Sequence, residues 1–398
     1  MAGPEHPPGR SFPDGFLWAT ATAAHQIEGG NVGNDWWDWE HRPGSGTAEP
    51  SGDACDSWHR WPDDVALVAE LGLGAYRFSV EWSRIEPAEG EFSGAALGHY
   101  RRQCEALRAA GIEPIVTFHH FTTPRWVVEG GGWEEPGTAV RFARFCERTA
   151  GELGGSMARA CTLNEPNIVA MVGWLAGRFP PGKTDVEARR RVNRVLIDAH
   201  RRAVEAIRAA APGVAVGLTL SMTDYQAVDG GEAKRDQIRA RMEDEFLAAT
   251  AGDDFVGVQT YSRSRIGPSG GLPGEPGVPD LPMGYEYWPQ ALEATIRRAA
   301  AVTGLPVLVT ENGIGTDDDD QRIAYVTAAL EGVLRCLADR IDVRGYTYWS
   351  LLDNFEWAFG YAPRFGLASV DRSTFARTPK PSARWFAEVA AANAIVDP

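Results

Sequence analysis

The chain has 398 residues, 44% hydrophobic and 23% charged, ordinary globular usage that supports a large buried core and excludes a disordered or fibrous chain. Its formal net charge of −15, with no Lys/Arg cluster, leaves no basic face for a phosphate backbone or an anionic membrane. The expected partner is therefore a small neutral or cationic molecule, with neither nucleic acid nor membrane.

Along the chain, short apolar runs alternate with helical patterns. Strands are expected at residues 16–20, 75–80, 113–119, 159–163, 214–220, 255–261, 306–310 and 344–350, most of them rich in β-branched or aromatic side chains, as strands buried on both faces are. Helices are expected at 61–71, 95–110, 139–153, 185–211, 232–249, 287–303, 321–338 and 381–391, with Gly and Pro marking many junctions. This alternation predicts an α/β protein, one (β/α)8 TIM barrel filling residues 1–398 as a single domain. The rival, an open doubly wound sheet, carries a Gly-rich phosphate turn after its first strand, and Trp18-Ala-Thr-Ala-Thr-Ala has none. The Pro/Gly-rich stretch 267–284 reads as a rim loop. The acidic run 317–320 reads as stabilising the start of the next helix rather than as a metal site.

No stretch approaches the ~20 apolar residues that span a bilayer. The opening Met1-Ala-Gly-Pro-Glu-His-Pro-Pro lacks the basic and apolar segments of a signal peptide. The five cysteines, Cys55, Cys104, Cys146, Cys161 and Cys336, have neither CxxC pairing nor metal spacing. Buried free thiols and a cytoplasmic location are expected, with no metal and no organic cofactor.

In a (β/α)8 barrel the active site forms where the strands end, and polar residues gather at those places. They are Gln26 and Glu28 after strand one, Arg77 in strand two, His119-His120 after strand three, and Asn164-Glu165-Pro166 after strand four. Tyr261, Glu311-Asn312-Gly313 and the run from Trp349 to Glu356-Trp357 follow on strands six, seven and eight. Pro166 predicts an extended Glu165 and no helix start there, and Gly313 predicts a sharp exit after Glu311. Two carboxyl groups at the mouth of one barrel suit glycoside hydrolysis, in which one protonates the leaving oxygen and the other attacks or activates water. A single strand-end Glu reads equally well as a structural ion pair. Two of them, among tryptophans, Asn, His and Gln, favour catalysis. Trp349 and Trp357 suit the C–H face of a pyranose, although either alone could be core, and Glu356 offers a bidentate acceptor for a diol.

These residues sit in segments that resemble the family 1 glycoside hydrolases, the β-glucosidase and β-galactosidase family, over nearly the whole length. The segments begin with Phe16-Leu-Trp-Ala-Thr-Ala-Thr-Ala-Ala-His-Gln-Ile-Glu-Gly, Tyr76-Arg-Phe-Ser-Val-Glu-Trp-Ser-Arg-Ile and Thr117-Phe-His-His-Phe. Thr162-Leu-Asn-Glu-Pro, Val309-Thr-Glu-Asn-Gly, Trp349-Ser-Leu-Leu-Asp-Asn-Phe-Glu-Trp and Arg364-Phe-Gly-Leu complete them. The resemblance implies a retaining β-glycosidase, most like a β-glucosidase, that removes a terminal sugar from a small β-glycoside. Glu165 would be the acid/base and Glu311 the nucleophile. Asn164 would bond the sugar 2-hydroxyl, while Gln26, His120, Glu356 and Trp357 would read the 3-, 4- and 6-hydroxyls. Trp349 would floor the site and Phe365 would lie near the 6-position. Arg77 and Tyr261 would hold Glu311 and keep it ionised, lowering its pKa, and that charge would keep Glu165 protonated. The family also implies a cis peptide at Trp349-Ser350.

The chain departs from the family in places. Gln259 stands where the family has Asn, Phe121 replaces a common Trp, and the shorter chain implies trimmed rim loops and an open aglycone side. The intact Glu356-Trp357 pair disfavours 6-phosphorylated sugars. Transglycosylation from the same intermediate is an alternative, with Trp126, Trp133 and Trp174 as candidate acceptor-site residues. A non-catalytic sugar-binding barrel is another, but it would ordinarily lack one of the two carboxylates. The sequence assigns no oligomeric state.

Overall fold

A computed structural model describes residues 10–397, so the opening segment read above for a signal peptide lies outside the described residues. Eight parallel strands close into a barrel: β1 (Leu17–Ala21), β2 (Ala75–Ser79), β3 (Glu113–His119), β4 (Arg159–Asn164), β5 (Ala215–Ser221), β6 (Phe255–Gln259), β7 (Val307–Asn312) and β8 (Val343–Trp349). Each pairs with its sequence neighbours, and β1 closes the ring against β8. The (β/α)8 architecture expected from the alternation is the one the chain forms.

Strands buried on both faces give separate apolar clusters. Ala19, Ala75, Ile115, Cys161, Phe255 and Leu308 form a small cluster of their own from six strands, the layered filling that makes such a barrel a packed core rather than a pore. The large cluster holds the helices onto the barrel. In the helix Gly137–Leu153, for example, Phe142, Phe145, Cys146, Thr149, Ala150 and Leu153 are buried at i, i+3, i+4 spacing. Gly257 in β6 has no room for a side chain, since a Cβ there would lie 2.6 Å from the Thr219 methyl and 2.9 Å from the Thr310 hydroxyl.

The outer helices match expectation to within a few residues, except where local chemistry intervenes. The segment 232–249 is interrupted by a π-helical turn at Ala240–Asp244. The helix expected from 287 begins at Ala291, just after Pro289, whose ring disfavours helix in the residue before it. Strand β6 stops at Gln259, and Tyr261 lies beyond it. Asp318 caps the helix Asp319–Ala338 by accepting from Gln321 N–H at 3.1 Å, and Asp319 ties that helix to the last one through Ser382 N–H at 2.6 Å. All five cysteines are buried and free. Among the described residues no helix is long and apolar enough to cross a membrane.

The loops at the C-terminal ends of the strands hold structure that periodicity did not reveal. Short helices occur at Ala24–Ile27, Asp35–Glu40, Trp82–Ile85, Arg125–Glu129 and Pro166–Trp174. Asp224–Ala227, just after β5, pairs with Arg263–Gly267 from the long connection after β6, which also supplies Gly270–Gly271, to make a three-stranded sheet.

Candidate active site

The two strands that carry the carboxyls lose their regular register at the rim. Pairing of β4 with β5 shifts between Cys161 and Asn164, and pairing of β7 with β6 shifts between Val309 and Glu311. Such irregularities re-aim side chains at a barrel rim. Immediately after β4, Glu165 adopts a left-handed conformation, φ 45° and ψ 55°, and the helix Pro166–Trp174 starts at the next residue with Pro at its first position. This corrects the expectation of an extended Glu165 with no helix. Pro166 is a helix-starting proline whose missing N–H needs no partner there, and the turn is made by Glu165 itself, at a cost of order 1–3 kcal/mol.

Glu311 is almost fully enclosed and accepts three hydrogen bonds. Its Oε1 receives Arg77 Nη1 at 2.6 Å and Gln259 Nε2 at 2.9 Å, and its Oε2 receives the Tyr261 hydroxyl at 2.6 Å. Arg77, itself buried within the barrel, also donates through Nη2 to Asn164 Oδ1 at 2.5 Å. Gln259 Nε2 reaches the same Asn164 oxygen at 2.9 Å. That fixes the Asn164 amide so that its Nδ2 faces His120 Nε2, at 3.2 Å.

Burial pushes the Glu311 carboxyl above the usual carboxylate range, and the Arg77 charge with the Tyr261 and Arg77 hydrogen bonds pulls against it without cancelling it. The expected net lowering is therefore corrected: desolvation wins. Glu165 is driven further, well above the usual value, first by burial and then by the negative charge of Glu311, with only a Ser221 hydrogen bond and the more remote Arg77 opposing. The order anticipated from sequence survives, because only Glu311 has a cation in contact. Of the two, Glu311 ionises first and Glu165 holds its proton.

Both carboxyls line an open pocket, together with Gln26, His120, Asn164, Tyr261, Trp349, Glu356, Trp357 and Phe365. Arg77 lies beneath it. Trp349 stacks on His120, with ring centroids 5.7 Å apart and planes 19° apart, and its peptide with Ser350 is cis. Trp357 stacks on His25 at 5.7 Å and 6° and packs on Trp36 at 4.6 Å. Among the described residues, Gln26 Oε1, His120 Nδ1 and the Tyr285 hydroxyl are buried without a hydrogen bond, and sugar hydroxyls can pair such groups. Burial holds the His120 imidazole well below its usual value, hence neutral, and raises Glu356 well above its own. Trp349 Nε1 donates to Glu356 Oε1 at 3.3 Å.

The glycine after Glu311 serves contact more than turning. A Cβ on Gly313 would lie 2.2 Å from the Trp349 carbonyl oxygen, so its absence lets β7 and the Trp349 segment approach. Gln259, noted above as a departure, is a direct donor to Glu311. Phe121, the other departure, lines the pocket at φ 73°. Trp126, Trp133 and Trp174 do not line it. Their indole N–H groups bond Glu86 O at 2.8 Å, Thr123 Oγ1 at 3.0 Å and Glu134 Oε1 at 2.9 Å, fixing loops elsewhere. The rest of the apolar lining is instead Phe121, Ile168, Phe179, Met283 and Tyr285. Apart from Phe121, these are single hydrophobic residues on rim segments, with no motif to mark them. Among the described residues no group of three or more His, Cys, Asp or Glu side chains is arranged to hold a metal ion.

Known proteins resemble this chain over most of its length. A family profile described as glycosyl hydrolase family 1 matches residues 9–266 and 259–395. Thermostable β-glucosidase B of Thermobispora bispora is 36% identical, the match covering 97% of this chain and 92% of the relative. A bifunctional β-D-glucosidase/β-D-fucosidase of Bifidobacterium breve is 35% identical, covering 94% and 97%. Among solved structures, a β-glycosidase at 50% identity superposes with a TM-score of 0.90 over 97% of this chain and 99% of its own. A family 1 β-glucosidase from Thermotoga maritima, 30% identical, gives 0.91 over 97% and 100%.

Proposed function

The chain belongs to glycosyl hydrolase family 1 and is an O-glycosyl hydrolase; we propose that it is a retaining β-glycosidase of β-glucosidase type in which Glu311 is the nucleophile and Glu165 the acid/base. The observation that carries this reading is the asymmetry of the two carboxyls. One is held by Arg77, Gln259 and Tyr261, while its neighbour faces the same pocket with no cation in contact among the described residues.

In the first step Glu311 attacks the anomeric carbon, the glycosidic C–O bond breaks, and Glu165 gives its proton to the departing oxygen. A glycosyl ester on Glu311 results. Esterification removes the Glu311 charge, and with it the repulsion that kept Glu165 protonated. Glu165, now ionised, takes a proton from water as that water attacks the same carbon, and Glu311 leaves as a carboxylate. Asn164, oriented by Arg77 and Gln259, is placed for the 2-hydroxyl, where contacts tighten as oxocarbenium character grows. Gln26, His120, Glu356 and Trp357 read the remaining hydroxyls, Trp349 forms the floor, and Phe365 closes the 6-position. The relatives named as β-glucosidases support a gluco-configured or related neutral sugar.

On this reading the whole chain acts as one catalytic domain on a small β-glycoside in the cytoplasm, needing no cofactor, nucleic acid or membrane. The test is initial rates on 4-nitrophenyl β-glucoside, β-galactoside, β-fucoside, β-xyloside and 6-phospho-β-glucoside, with Glu311→Ala as blank. Turnover of neutral sugars that vanishes in the blank, with none of the phosphosugar, is expected. Silence of the folded wild type on all of them, or wild-type turnover by Glu311→Ala, overturns the reading.

A further inference from the structure

A second open cavity is built from loops that leave the same ends of β1, β3 and β4. It abuts the first pocket through shared segments. Phe121 lines the first pocket and Arg125, four residues on, lines the second. Phe179 lines the first, and the next two residues, Pro180 and Pro181, line the second. The short helix Asp35–Glu40 contributes Asp35, Asp38 and Trp39 to its wall.

The lining combines an apolar platform with balanced charge. Pro180, Pro181 and Val128 are the apolar part, joined by Trp39, which is only 8% exposed and carries the Arg42 guanidinium 5.9 Å from its ring centroid; Val128 remains 40% exposed although a valine gains from burial. The Trp39 ring is held in place, since a Cβ on Gly182 would come 2.7 Å from it. Trp39 Nε1 and Arg125 Nε are buried donors that nothing among the described residues satisfies, and each such group costs free energy until it is paired. Asp38 pairs with Arg125, and Arg42 and Glu129 complete the charged wall. Asp35, half-buried as a residue, accepts from Thr123 N–H at 2.8 Å. Burial of its carboxyl pushes it up to about 8, leaving it mostly neutral near pH 7. Two acids then face two guanidinium groups. An ionic ligand gains nothing net there, whereas a neutral ring with one apolar face and several hydroxyls can use the platform, the donors and the acceptors together.

We propose that this cavity is a second carbohydrate site, separate from the first pocket, that seats one neutral pyranose against Trp39, Pro180 and Pro181 with its hydroxyls shared among Asp38, Glu129 and Arg125. The ring has two possible sources, the far end of an oligosaccharide whose near end occupies the first pocket, or a free sugar. Only the first source rests on the hydrolase reading.

The test uses Val128→Arg, which inserts a long side chain at an exposed wall position, and Arg42→Ala, which trims an exposed one. Both leave the first pocket's residues untouched, so rates on 4-nitrophenyl β-glucoside should stay at the wild-type level. Saturation-transfer NMR of glucose is recorded with the first pocket filled by deoxynojirimycin, whose own binding is measured beforehand. Glucose signal that persists in the filled wild type and is lost in both variants supports a free-sugar site. A fall of about fivefold in kcat/KM on cellotetraose, with cellobiose unchanged, supports the distal ring of a substrate. No glucose signal in the filled wild type together with unchanged cellotetraose kinetics in both variants overturns the proposal.

Discussion

Replacing Tyr261 by Phe removes one hydrogen bond from Glu311 and little else. The ring stays packed edge-on against Phe365, with centroids now 5.9 Å apart, so the variant should fold. What disappears is a 2.6 Å O–H···O contact to a buried carboxylate. A hydrogen bond to a charged group contributes about 1.5–3 kcal/mol, and here it is present only while Glu311 is ionised. Burial already pushes Glu311 up, with the Tyr261 bond among the forces holding it down. Without that bond Glu311 keeps its proton to higher pH, and the competent fraction of enzyme falls on the acid side. The expected result is a loss of about ten- to a hundredfold in kcat/KM at acidic pH. The acid limb of the profile should move upward, and the gap to wild type should narrow as pH rises. The assay is kcat/KM for 4-nitrophenyl β-glucoside across the pH range, which reports the free enzyme's groups. An acid limb that stays in place, or a loss that is the same at every pH, refutes the reasoning.

Further expectations rest on the same pocket. Glu165→Ala should lose most rate on glycosides with poor leaving groups and little on nitrophenyl glycosides in the first step, because good leaving groups need little protonation; equal loss on both would count against the acid role. Glu165→Gln should raise thermal stability while reducing turnover. A carboxyl whose folded-state pKa is raised supports folding only at low pH, and that support is lost as pH rises from the unfolded value through the folded one. The melting temperature of Glu165→Gln should therefore exceed wild type by more at alkaline than at acidic pH, and a gap that grows toward acid would show the sign to be wrong. Gly313→Ala places a Cβ 2.2 Å from the Trp349 carbonyl, so it should raise KM and cost about 1–3 kcal/mol of stability. Gly155→Ala, with nothing within 4 Å, is the control, and equal effects from the two in melting and kinetics would dismiss the close-contact argument.

The barrel was legible because its signals are local: eight short apolar runs, each followed by a 3.6-residue pattern, need no tertiary information. The two carboxyls and their polar neighbours were legible for a related reason, since a Glu that ends an apolar strand stands out against its run. Three things were not. Glu165 defeated the proline rule because the chain passes from strand to helix through a single left-handed residue, a conformation that only the whole rim can impose. The pocket's apolar lining escaped because Ile168, Phe179, Met283 and Tyr285 are scattered hydrophobics brought together by loop paths, whereas the more conspicuous Trp126, Trp133 and Trp174 are bound to other loops. The sign of the Glu311 shift was not legible because the sequence displays the cation and the phenol but not the depth of burial that outweighs them.

The most direct test of the central claim is to trap the covalent intermediate. The enzyme is incubated with 2-deoxy-2-fluoro-β-glucosyl fluoride, whose fluorine slows both steps while its leaving group restores the first. Intact mass and peptide mapping follow. The account predicts stoichiometric inactivation, a mass increase of one fluoroglucosyl residue, and the label on Glu311. Turnover without any adduct, or a label on Glu165 or another residue, would contradict it.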